Sequence, residues 1–103
     1  MKIIVGFFTT KPGKRDEYLA AARNHLEQSR LDPDCIYIEL VPMPDHPDRI
    51  LLAEAFTNEE AHRRHEDTDH MRDLWAVGSK LLAHVVIDNV ISQQVQHIDE
   101  SFD

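Results

Sequence analysis

The chain has 103 residues, with 11 Lys and Arg against 19 Asp and Glu, a net charge of −8 with histidine neutral. That length suits one domain and excludes two, and an apolar content of 42% supports a packed core rather than a disordered chain. The acidic balance lacks the basic footprint that nucleic-acid phosphates and anionic membrane surfaces demand, and the apolar runs are too short to span a bilayer. A single cysteine, Cys35, cannot close an internal disulfide, and no signal-peptide pattern precedes the strand-like residues that start at Lys2. These features predict a reduced, cytoplasmic protein, and the acidic balance predicts neither nucleic acid nor membrane as partner.

Residues 3–10, rich in β-branched and aromatic types, predict a first strand. Lys11-Pro12-Gly13-Lys14 breaks it. Helical spacing then runs over 14–31, with Tyr18, Ala21, Ala22, His25, Leu26 and Ser29 on one face. Asp16 and Glu17 suit the positive end of that helix, and Asp32-Pro33-Asp34 stops it. Residues 35–42 predict a second strand, and the proline-rich stretch to Asp48 a hairpin loop. Arg49 to Phe56 predicts a third strand. Thr57 and Glu60 have capping-box spacing for a short helix over 58–66. Asp67-Thr68-Asp69 reads as a break and a new N-cap, after which Met71, Leu74, Trp75, Gly78, Leu81 and Leu82 form an apolar stripe. Residues 84–95 predict a fourth strand, so that residues 1–95 form the domain and 96–103 a polar tail.

Strand, helix, strand, strand, helix pair, strand is the order of a ferredoxin-like, split β-α-β fold. It predicts an α+β architecture with a four-stranded antiparallel sheet and helices on one face. These strands are apolar on both faces. Ile3, Val5 and Phe7 oppose Ile4 and Phe8, and Val85, Ile87 and Ile91 oppose Val86 and Val90. Helices can cover only one face, so the other is expected to meet a second copy in a homodimer.

Asp34-Cys35-Ile-Tyr37-Ile-Glu39-Leu, followed by Leu51-Leu-Ala-Glu54-Ala-Phe56-Thr-Asn-Glu59-Glu60-Ala61-x-x-x-His65, resembles the antibiotic biosynthesis monooxygenase (ABM) family. The Lys11-Pro-Gly-Lys14 turn is also similar, and the likeness extends over residues 2–95. The resemblance implies a dimeric α+β barrel in which two sheets meet face to face, with a pocket between each sheet and its helices. It implies oxygenation of electron-rich aromatics, such as quinols and polyketide-type phenols, without metal or flavin. The departures bear on that activity. The family's usual Gly before Cys is Asp34. The Trp that often ends the third strand is Phe56, and the Asn of the anthrone-oxidising members stands here as Leu52. The haem-degrading branch fits less well, with Phe7, His65 and Trp75 in place of its Asn, Trp and His. A non-catalytic module that binds or detoxifies a quinone-like molecule on the same fold is the alternative.

His65 falls on the family's helix-end His, and it or His70 could take a phenolic proton. Phe7, Phe56 and Trp75 are expected to contact a small aromatic ligand, one strand-one Phe facing the pocket and the other the dimer interface. Tyr37 and Glu54 complete the candidate set, Tyr37 and Glu39 sharing a strand face with Cys35. A carboxylate at Glu54, inside a sheet, needs a cationic partner or a raised pKa. His62, His65 and His70, with Glu66 or Asp69, could ligate a metal. Their spacing lacks the i,i+4 pair and intervening Glu of helical zinc motifs, however, and neither metal nor cofactor is expected. Cys35 is expected to be an inert, buried thiol.

Overall fold

The computed structural model describes residues 1–102. Its elements are β1 (Lys2–Thr10), α1 (Arg15–Arg30), β2 (Cys35–Pro42), β3 (Arg49–Phe56), α2 (Glu59–Glu66), α3 (Asp69–Leu81) and β4 (Leu82–Ile91). The strands form one antiparallel sheet in the order β2-β3-β1-β4. This is the predicted ferredoxin-like α+β architecture. A turn with Gly13 at a φ of +76° carries β1 into α1, a backbone conformation open to glycine at little cost.

Alternation along the strands sorts the side chains. Ile4 and Phe8 of β1, Ile38 of β2, and Ile50, Leu52 and Phe56 of β3 are buried on the helix side. All but Ile38 meet Tyr18 and Ala22 of α1, Ala61 of α2, and Leu74 and Leu81 of α3 in one core. The opposite face carries Val5, Tyr37, Val41, Val86 and Val90, each 42–49% exposed. There the Arg49 guanidinium lies 4.0 Å above the Phe7 ring, a cation–π contact. The apolar character of both faces is therefore real, and among the described residues only one face is covered.

Three local expectations are corrected. The α2 N-cap is Asn58, whose Oδ1 accepts from the Ala61 amide at 2.8 Å. Thr57 instead donates its hydroxyl to Asp34 Oδ1 at 3.0 Å, because the strand runs through Phe56 and the chain turns one residue later than the capping box implied. β4 spans Leu82–Ile91 rather than 84–95. Its ladder partner β1 sets both ends, Thr10 pairing with Leu82 and Lys2 with Ile91. A bulge between Cys35 and Tyr37 places Cys35 opposite Phe56 and Tyr37 opposite Ala55, so these two do not share a face. Cys35 is half-buried against the core edge, and burial pushes its thiol pKa up, which keeps it protonated and inert. Among the described residues no helix is long and apolar enough to cross a membrane.

Candidate functional site

The helices do not close completely on the sheet. A cavity of about 470 Å³ remains between them, walled by Ile4, Phe8, Leu40, Leu52, Tyr18 and Leu74. Trp75, Ile87 and Asn89 also border it but are exposed, which places its mouth along β4. α3 approaches α1 closely because residue 78 is glycine; a Cβ there would lie 3.0 Å from the Tyr18 ring. Tyr18 in turn meets Phe8 edge-on, with ring centroids 6.0 Å apart.

A group of polar side chains interrupts this apolar wall. Glu54, on the helix side of β3, is 6% exposed. Its Oε1 lies 3.8 Å from His65 Nε2 and its Oε2 3.9 Å from His62 Nε2. These are proximities rather than ion pairs. Burial, reinforced by the Glu66 charge, raises the Glu54 pKa to about 7. Burial, with the neighbouring histidines, lowers that of His65 to about 4. His62 is also lowered, mainly by burial, against the pull of Glu66. At neutral pH the imidazoles are neutral and the carboxyl sits near its midpoint. Tyr18 is pushed up to about 12 by burial and by Glu54, so it stays a hydroxyl donor.

The His65 ring is held from behind. Ser29 Oγ donates to the His25 carbonyl at 2.6 Å, which uses its only proton. His65 Nδ1, 3.4 Å from the same Oγ, is then the donor of that pair. This assigns the lone pair to Nε2, which is buried with no hydrogen-bond partner among the described residues. His25 Nδ1 lies 2.7 Å from His70 Nδ1, and burial with that neighbour lowers the His25 pKa to about 4.

Of the candidate residues, Glu54, His65 and Trp75 converge on the cavity. Phe56 lies beneath the His62 and His65 rings, at 5.2 and 4.9 Å, and supports them. His70 is set back behind His25. Phe7 and Tyr37 are corrections. Alternation puts Phe7 on the open face and Phe8 in the cavity, and the β2 bulge turns Tyr37 to the open face as well. Trp75 is 49% exposed and stands at the rim rather than the floor. Sequence reading missed Lys2, which is 7% exposed and borders the cavity. Its parity with Ile4 and Phe8 was the available signal. His25 and Ser29 were placed on the right face of α1, but no pattern announced their contact with His65. Among the described residues no group of three His, Cys, Asp or Glu side chains is arranged to hold a metal ion.

The model of a family described as antibiotic biosynthesis monooxygenase matches residues 1–76. The chain belongs to the antibiotic biosynthesis monooxygenase family. This ABM chain is 25% identical over 83 residues to "Putative monooxygenase YcnE" of Bacillus subtilis (strain 168), covering 81% of this chain and 87% of that one. Its fold matches the solved structure of a Nitrosomonas europaea protein described as a putative antibiotic biosynthesis monooxygenase. The TM-score is 0.82 at 22% identity, over 93% of this chain and 100% of the other. A similarly described structure from Bacteroides thetaiotaomicron gives a TM-score of 0.84 at 17% identity, over 96% and 95% of the two chains. Leu52, standing where the anthrone-oxidising ABM pattern has Asn, lines the cavity and offers no hydrogen bond there.

Proposed function

We propose that this ABM family member oxidises a small, electron-rich aromatic, a quinol or polyketide-type phenol, with dioxygen and without a cofactor. The observation that carries the reading is Glu54, a carboxyl buried at the cavity wall with no Lys or Arg within 4.0 Å among the described residues. A phenol has a pKa near 10, so passing its proton to an ordinary surface carboxylate is uphill by roughly 7–8 kcal/mol. Passing it to Glu54, at about 7, is uphill by about 4 kcal/mol. His65, at about 4, is the weaker base by some 3 units. Glu54 therefore takes the proton, and the Nε2 lone pair of His65 orients the substrate hydroxyl between the two.

The resulting aryloxide gives one electron to dioxygen, and the aryloxyl radical, whose spin is delocalised onto the ring, combines with superoxide at a ring carbon. For an anthrone-type methylene, loss of water from that peroxide leaves a carbonyl. One oxygen atom enters the product and the other leaves as water, the two methylene hydrogens supplying the reducing equivalents. A quinol uses the same deprotonation and passes two electrons and two protons to dioxygen, giving quinone and hydrogen peroxide. Apolar walls exclude water from the radical pair.

We also propose that the open sheet face meets a second copy, supported by the valines and Tyr37 exposed across it. A stable monomer on gel filtration at micromolar concentration overturns that. The experiment for the chemistry is oxygen uptake with anthrone- and menadiol-type substrates, comparing the native chain with Glu54→Gln and His65→Ala. Turnover above buffer background, lost in Glu54→Gln, is expected. No turnover with saturable binding would instead favour the non-catalytic module, for which Leu52 in place of a polar contact already speaks.

A further inference from the structure

Lys2 is a cation that the chemistry above leaves unused. It lies on the helix side of β1, in register with Phe56 of β3 and Ile91 of β4, and it borders the cavity. The residue is 7% exposed. Among the described residues its ammonium has no hydrogen-bond acceptor and no carboxylate within 4.0 Å, although Glu54 and Glu66 both border the same cavity. Its charge reaches His62, whose protonation it opposes. The stem is packed away while the ammonium keeps accessible surface at the cavity, open to a partner that the chain does not supply among the described residues. Here the neighbouring imidazoles are neutral, and the carboxyl beside them is one that burial drives toward its uncharged form. The polar end of the cavity thus holds a positive charge with no carboxylate within 4.0 Å of it among the described residues, the Glu54 and Glu66 carboxyls lying farther off along the same wall.

We propose that Lys2 is an anion-binding residue of the cavity, and that the ligand brings an anionic oxygen to it: a carboxylate on the aromatic ring or the aryloxide itself. The inference rests on the aromatic-ligand reading above and narrows it to aromatics that carry, or readily form, a negative charge at one end. The other end of the cavity, at Phe8, Tyr18, Leu74 and Leu82, takes an uncharged ring system. An anion at Lys2 leaves Glu54 free to act as the neutral or proton-accepting group, because the two charges do not compete for it.

Equilibrium binding without turnover tests this, read by quenching of Trp75, the chain's only tryptophan, which stands at the cavity rim. The probes are 4-hydroxy-2-naphthoate and its neutral isostere 4-hydroxy-2-naphthamide, with the phenol ionisation of each bound probe followed by absorbance. If the carboxylate is the partner, the native chain binds the acid at least tenfold tighter than the amide, and Lys2→Gln abolishes the preference. If the aryloxide is the partner, acid and amide bind alike, but the bound phenol ionises at least one pH unit lower in the native chain than in Lys2→Gln. Lys2→Arg retains whichever effect is seen, since the charge is kept. Native protein showing neither preference for the acid nor a bound-phenol pKa below that in Lys2→Gln overturns the proposal. Binding of both probes with those signatures but no oxygen uptake would sink the oxygenase reading and leave the anion site standing.

Discussion

Replacing Glu54 with Gln removes the one carboxyl that faces the cavity from the sheet and keeps its volume. The folded-state pKa of Glu54 is raised from 4.5 to about 7, and its side chain is 8% exposed, so little solvent screening applies. Raised means that the folded chain holds the proton more tightly than the unfolded chain. The contribution to stability is fully present below pH 4.5 and is lost as pH rises through 7. The size of that loss is about 3 kcal/mol. Glu54→Gln is expected to match the native chain near pH 4 and to exceed its stability by about 3 kcal/mol at pH 8. Urea unfolding at fixed protein concentration over pH 4–8 reads this as a difference between the two proteins. The histidine contributions are common to both and cancel. At the same time turnover falls by about 10²–10⁴, the usual contribution of a positioned base. A stability difference that stays flat with pH, or that favours the native chain at pH 8, would refute the reasoning, because Glu54 would then be ionised and paired throughout.

Acid acts on the other side of the site. His25 and His65 have folded pKa values lowered to about 4, so their contribution is present above pH 6.5 and is lost as pH falls through 4. Near-UV circular dichroism is expected to record loss of packing in that window, with a shallower acid limb in His65→Asn. Gly6→Ala sets a Cβ 2.6 Å from the Val86 carbonyl oxygen, which only separation of β1 from β4 relieves; a loss of about 3 kcal/mol in chemical denaturation is expected. Gly78→Ala meets the movable Tyr18 ring at 3.0 Å instead. Its cost is nearer 1 kcal/mol after the helix-propensity gain, and its clearer readout is weaker naphthol binding as the ring is pushed toward the cavity. Val5→Lys places a charge amid the open face; it should shift gel filtration toward monomer and leave naphthol affinity unchanged.

Local pattern carried most of the architecture. β-Branched and aromatic runs located the four strands, period-3.6 spacing the first and third helices and a capping pattern the second, and Pro33 and the Thr68 cap marked real boundaries. Errors arose where a partner decides the outcome. β4 stops at Ile91 because β1 begins opposite it, and nothing within residues 92–95 says so. Phe7 and Phe8 have the same chemistry, and only the sheet's orientation sends Phe8 to the cavity and Phe7 beneath Arg49.

The amino-acid sequence by itself determined a single acidic α+β domain with two apolar sheet faces, because charge count and hydrophobic period are properties of the chain read locally. It also placed Glu54 and His65 together as candidates. Which of the two is the better base was decided only by tertiary structure. Both are ionisable groups of ordinary pKa in the unfolded chain, and burial moves them in opposite directions, Glu54 up and His65 down. The same fold packs the Lys2 stem away and leaves its ammonium at the cavity without a partner among the described residues. Desolvation depends on what folds over a residue, and the residue's own type cannot report it.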